Sequence, residues 1–156
     1  MTSTVQTFEL ALRATLAQYA AEAVPVSWIH CAMSPTDEDN REGVETYPQL
    51  LVQAGSKGRA DNDSTWETAV TLTCATLSEA DADGTSLAGM FAAVEYVMDR
   101  LAAHDDNEVQ SFFISAVRQS IPTFCFGEIA PEASDGVMVT EGLRTIQLTG
   151  TLQYDY

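Results

Sequence analysis

The chain predicts an α+β fold: one domain, residues 1–156, with a mainly antiparallel sheet of about five strands. One main helix and an N-terminal helix pack against that sheet. Three observations carry the expectation. The stretch Leu143–Tyr156 alternates, with Ile146, Leu148, Leu152, Tyr154 and Tyr156 on one parity and Thr145, Gln147, Thr149, Thr151, Gln153 and Asp155 on the other. That is the period of a strand with one dry and one wet face. Leu87, Met90, Phe91, Val94, Val97, Met98 and Leu101 recur at the spacing of one helix face, which makes this segment the natural lid for the dry side. Two further alternating runs, Tyr47–Ala54 and Trp66–Leu77, flank a tip rich in Gly, Asp and Asn, the pattern of a long hairpin. Strand runs interrupted by a single helical block give the α+β class.

In chain order, Val5, Phe8, Leu12, Leu16, Tyr19 and Ala20 predict an amphipathic helix from Thr4 to about Ala23, stopped by Pro25. Val26–Met33 has apolar residues on both parities and reads as an interior strand. Residues 34–46 read as a polar surface loop. After the hairpin, the segment Glu79–Gly84 ends the strand, and Asp83 or Thr85 caps the main helix. A shorter helix with Val109, Phe112, Phe113, Ala116 and Val117 follows, although Phe112–Val117 also fits a strand. Thr123–Ile129 reads as a strand, 130–136 as a loop, and Val137 onward as the last strand, bulged at Gly142.

The charge bounds the function more than the motifs do. Twenty-three acidic residues oppose seven basic ones, for a formal charge of −16. Such a surface repels phosphate, so specific nucleic-acid binding is not expected. Adaptation to a salty host, simple solubility and a role in meeting a basic partner surface are all compatible with this acidity. Cys31, Cys74 and Cys125 form an odd set without CxxC spacing, so reduced thiols and an intracellular origin are expected, with Cys74 and Cys125 buried in strands. No signal peptide is expected, because Glu9, Arg13 and Gln18 interrupt the N-terminal apolar run. Nor is a membrane span, since no stretch approaches ~20 apolar residues.

Candidate chemistry is sparse. His30 and Cys31 leave a strand on opposite faces, and His104 lies far away in sequence, so a zinc site is not expected. The segment from Glu79 to Gly84 imitates the start of a calcium loop, but Ser86 and Met90 occupy positions that need an apolar residue and a bidentate glutamate. It reads instead as a turn and helix cap. The acidic clusters Asp37–Asp39, Asp61–Asp63 and Asp105–Asp106 lie in polar loops, where carboxylates stay solvated. No GxSxG, P-loop or GxGxxG is present. No catalytic residue, cofactor or metal is therefore expected, and the chain reads as a non-enzyme. Lys57, the one lysine, and Arg59 stand at the hairpin tip. They either discourage edge-to-edge aggregation or project as an arm toward an acidic patch on a neighbouring subunit.

The order helix (Phe8–Tyr19), strand, long hairpin (Tyr47–Leu77), helix (Leu87–Leu101) and closing ribbon TIQLTGTLQYDY resembles the tail terminator, or tail completion, proteins of long-tailed bacterial and archaeal viruses. The resemblance lies in the order of elements rather than in a motif, and the segments 34–46 and 112–117 are longer than in the compact version of that pattern. It implies a virion structural protein, made in the host cytoplasm, that forms a ring, typically of six. The ring caps the head-proximal end of the tail tube, ends tube polymerisation and meets the head connector. Its implied partners are copies of itself, the tail tube protein and the connector protein, with no membrane. DNA passes through such a ring, and an acidic wall would keep it from sticking. The uncharged wet face Thr145, Gln147, Thr149, Thr151 and Gln153 is the expected subunit or tube contact, beside Lys57 and Arg59. Competing readings are another head–tail joining, neck or tail tube subunit; an acidic DNA-mimic inhibitor; and a small-ligand module betrayed by a pocket.

Overall fold

The computed structural model describes residues 3–33, 47–59, 65–132 and 136–156. Its elements are α1 (Thr4–Tyr19), β1 (Ile29–Cys31), β2 (Gln49–Ala54), β3 (Gly58–Arg59), β4 (Trp66–Leu77), α2 (Thr85–Ala102), α3 (Glu108–Arg118), β5 (Cys125–Pro131), β6 (Met138–Thr140) and β7 (Leu143–Asp155). The fold is α+β, as expected, with three helices and one mixed sheet in the order β1-β2-β4-β7-β5. The short β3 extends the hairpin along β4, and β6 pairs with β7. Only β1–β2 is parallel; the other pairings are antiparallel.

The backbone of the sheet is the β4–β7 ladder, which runs from Trp66↔Tyr154 to Leu77↔Leu143 without a shift. Along it, Val70, Leu72, Cys74, Leu148, Leu152 and Tyr154 point to one face and are buried. Their core partners come from all three helices, including Phe8 and Leu12 of α1, Met90, Val94 and Met98 of α2, and Phe113 and Val117 of α3. The lid is therefore shared, not supplied by α2 alone. Tyr154 is its centre: Phe8 meets the ring edge-on at 4.8 Å, Phe124 lies 5.8 Å away, and the hydroxyl bonds Thr68 at 3.2 Å. Bonding the one polar atom lets an aromatic ring of this size be fully buried.

Polar side chains fix the helices. The Ser3 hydroxyl accepts from the Gln6 amide to start α1, and the Asn107 side chain accepts from the Gln110 amide to start α3. The start of α2 is held from further upstream. Asp81 accepts from the amides of Ser86 and Leu87 and from the Thr76 hydroxyl. Arg144 of β7 donates to the carbonyls of Asp81 and Ala82, so the turn that opens α2 is tied to the sheet. The residue that caps α2 is Gly84, at φ 75° and with no side chain to bond, in place of the expected Asp83 or Thr85; Asp83, one residue earlier, accepts from the Thr85 amide.

Several expectations are corrected. Val26–Trp28 forms a 3₁₀ turn after Pro25, and only Ile29–Cys31 forms a strand. That strand is an edge of the sheet, and the second apolar parity vanishes because Val26 and Trp28, which supplied it, belong to the 3₁₀ turn. Here α1 stands where a further strand would pair: Arg13 donates to the Ile29 carbonyl, and Glu9 bonds the amides of Met33 and Ala54. Residues 112–117 are helical, within α3. The expected bulge at Gly142 is instead a two-residue turn, Glu141 at φ 50° and Gly142 at φ 81°, which folds β6 back on β7. Both residues at positive φ match the twist of a hairpin, and glycine takes the second without a Cβ penalty. Cys125 is exposed rather than buried. The expected loop at 34–46, its cluster Asp37–Asp39, the cluster Asp61–Asp63 and the middle of the 130–136 loop lie outside the described residues.

Candidate functional site

Because α1, α2 and α3 contribute to one core cluster with the sheet, the other face carries no helix among the described residues. On β7 this face presents Thr145, Gln147, Thr149, Thr151 and Gln153, of which Gln147 is exposed and the others half-buried. Registry sets them beside β4, in the pairs Ala75–Thr145, Thr73–Gln147, Thr71–Thr149, Ala69–Thr151 and Glu67–Gln153. β2 continues the surface with Leu51 opposite Thr73 and Gln53 opposite Thr71. The structure thus brings together all five predicted β7 residues. It adds Gln53, Thr71 and Thr73; the last two are legible in sequence as the polar parity of β4, but only registry places them beside the β7 residues.

The chemistry of this surface is unusual for so acidic a chain. From Leu51 and Gln53 across Thr71 and Thr73 to Thr145, Gln147 and Thr149, no side chain ionises. Carboxylates gather at one end, where Glu67 and Glu128 both stand opposite Gln153 and Glu132 approaches the Thr149 hydroxyl at 3.4 Å. Amides and hydroxyls both donate and accept. A surface of this composition can exchange hydrogen bonds with another protein surface.

Lys57 and Arg59 are not part of that surface. The Lys57 ammonium lies 4.5 Å from the Trp66 ring centre and 4.9 Å from that of Tyr156, whose hydroxyl it also bonds. The Arg59 guanidinium covers the other available part of Trp66 at 3.9 Å. Tyr156 in turn stacks on Tyr154, with ring centres 6.0 Å apart. Both cations therefore lie over Trp66 of β4, and Lys57 also holds Tyr156 after β7, within the same chain; rings under a cation are held by their negative faces.

The other candidates are modest. A groove of about 440 Å³ is lined by His104, Asp105, Asp106, Arg118, Cys125 and Glu128 among others. Asp105 there bridges Arg100 at 3.4 Å. Its carboxyl is held below the ordinary value, by the Asn107 amide first and by Arg100. Among the described residues no group of three His, Cys, Asp or Glu side chains is placed to hold a metal ion, and no helix is long and apolar enough to cross a membrane. No protein-family model matches the chain, and no curated protein matches its sequence.

Proposed function

We propose that this chain is a structural subunit of a viral tail, a terminator that assembles into a ring on the head-proximal end of the tail tube. In this reading the ring, six-membered by the resemblance, ends tube polymerisation and faces the head connector. The carrying observation is the uncharged Thr/Gln sheet face, left open by all three helices in a chain of charge −16. Like-charged subunits repel at contact distance, so a neutral, hydrogen-bonding face is where another acidic subunit or the tube can approach. The order of elements that resembles the terminators supports the same reading, including the long hairpin and the closing β7 ribbon.

The test is the mass in solution combined with negative-stain imaging, alone and with tail tubes of the virus that encodes the chain. Rings, or density on one tube end, are the expected result. Changing Gln147→Glu together with Thr149→Glu should leave the far-ultraviolet spectrum intact and reduce ring or tube binding at least tenfold. A compact monomer indifferent to tubes at every concentration overturns the proposal.

A further inference from the structure

The edges of the sheet are not treated alike. At one side β1 is covered by α1 through Arg13 and Glu9. On the other, β5 is interrupted by an irregularity between Phe126 and Glu128 and ends at Pro131, devices that discourage strand addition. Beyond β5 the same flank of β7 is taken by β6, and among the described residues no helix, bulge or proline guards the outer side of β6. Val137, Met138 and Val139 are 55%, 62% and 66% exposed, three consecutive large apolar residues with no charge among them. In a two-residue hairpin the closing pair, Thr140–Leu143, exchanges both hydrogen bonds. The backbone groups of Val139 and Val137 therefore face away from β7, toward the free edge.

We propose that β6 is a self-pairing strand that joins two copies of this chain edge to edge. The occupant follows from charge and from symmetry. A chain of −16 meets a copy of itself most readily along a stretch without carboxylates, as Gly136–Thr140 is, and an isologous contact needs one patch that complements itself. Antiparallel pairing centred on Met138 meets both conditions. It sets Val137 against the partner's Val139 and Met138 against the partner's Met138. The valines lie on the helix side, where a groove of about 480 Å³ adjoins Val137, lined by Leu87, Ala88, Phe91 and Ile146 together with the opposite charges Glu95 and Arg144. The added strand therefore covers a mostly apolar floor with one acid and one base at its side. The contact runs along the strand edge and adjoins the Thr/Gln face, since Met138 stands opposite Thr145, but it does not depend on the virion reading.

Opposed residues at a non-hydrogen-bonded antiparallel pair come close enough for a disulfide. The full chain carrying Cys125→Ser and Met138→Cys should therefore oxidise to a covalent dimer at micromolar concentration, and the same chain with Tyr96→Cys in place of Met138→Cys should not. Sedimentation of the unmodified chain should show an even-numbered species, and Val139→Lys should shift its dissociation constant upward at least tenfold. Protection of the Val139 amide from hydrogen exchange should be lost in that variant. Self-association unaffected by Val139→Lys, or a chain that stays monomeric with a freely exchanging Val139 amide, overturns the pairing. The Gln147→Glu, Thr149→Glu variant separates the two proposals, because it should abolish rings and leave the Met138 cross-link intact.

Discussion

Glu9 is the residue whose role departs furthest from its appearance in sequence. Read linearly, it is a polar interruption of an apolar helix. Folded, it is fully buried, and its two oxygens hold the amides of Met33 at 2.7 Å and Ala54 at 3.0 Å, one after β1 and one closing β2. Replacing it by alanine strands both donors, at about 1–3 kcal/mol each. Glu9→Ala should lower the urea midpoint accordingly, more than an Ala change at any exposed glutamate. Asp81 is the second such case. The Ser86 amide above all, then the Leu87 amide and the Thr76 hydroxyl, hold its carboxyl below the ordinary range against the opposing effect of burial. A depressed folded value contributes stability above about pH 4, where the unfolded carboxylate is also ionised, and loses it as pH falls through the folded value. The stability difference between the native chain and Asp81→Asn should therefore be full at neutral pH and vanish in acid, as followed by denaturant titrations from pH 7 downward. The cysteines divide likewise. Burial pushes the Cys74 thiol up to about 12, whereas Cys125 is exposed. A thiol reagent at neutral pH should modify Cys125 in the native state and reach Cys74 only on unfolding.

At the scale of elements, legibility in the sequence tracked periodicity. The α2 stripe, the alternation of β4 and that of β7 each span a dozen or so residues with little interruption, and all three elements stand where the pattern put them. Short elements fared worse because local chemistry overrode their composition. β1 looked like an interior strand, since Trp28, Ile29, Cys31 and Met33 are apolar, but Pro25 imposes a turn and α1 occupies the outer edge. In sequence β6 runs on into β7, because a Glu-Gly turn carries a weaker hairpin signal than Asn-Gly or Asp-Gly. The wet face of β7 was legible to the residue. Which residues of β2 and β4 stand beside it was not, because registry between distant strands has no local signature. Gly127 is the clearest element-level constraint. A Cβ there would stand 2.7 Å from the Gln153 carbonyl oxygen, so β5 approaches β7 more closely than any side chain permits. Gly127→Ala should destabilise the fold by about 1–3 kcal/mol, read as a lowered thermal midpoint with Cys125 still exposed.

For the molecule as a whole, the balance is between a well-filled core and a shell of like charge. The core cluster draws on every helix and on β1, β2, β4, β5 and β7, while the chain carries −16 around it. Added salt screens that self-repulsion, with a Debye length near 10 Å at about 0.1 M. Raising sodium chloride from about 0.01 M to about 0.5 M should accordingly raise the melting temperature, and a flat response would show that the carboxylates are already neutralised by local partners. The same screening should tighten self-association, because both proposed contacts bring acidic shells together.

The uninterrupted β4–β7 ladder also sets how the chain reaches this structure. Its two strands are separated in sequence by both α2 and α3, so the longest pairing in the sheet is also one of the least local. Loop-closure entropy has to be overcome before that pairing contributes anything. The helices' own turns and the β2–β4 hairpin are local and should form early, and the central seam should close late. Refolding should thus be slow for a chain of this size, with helical signal gained ahead of the change in Trp66 fluorescence that reports its enclosure between the hairpin tip and the end of β7.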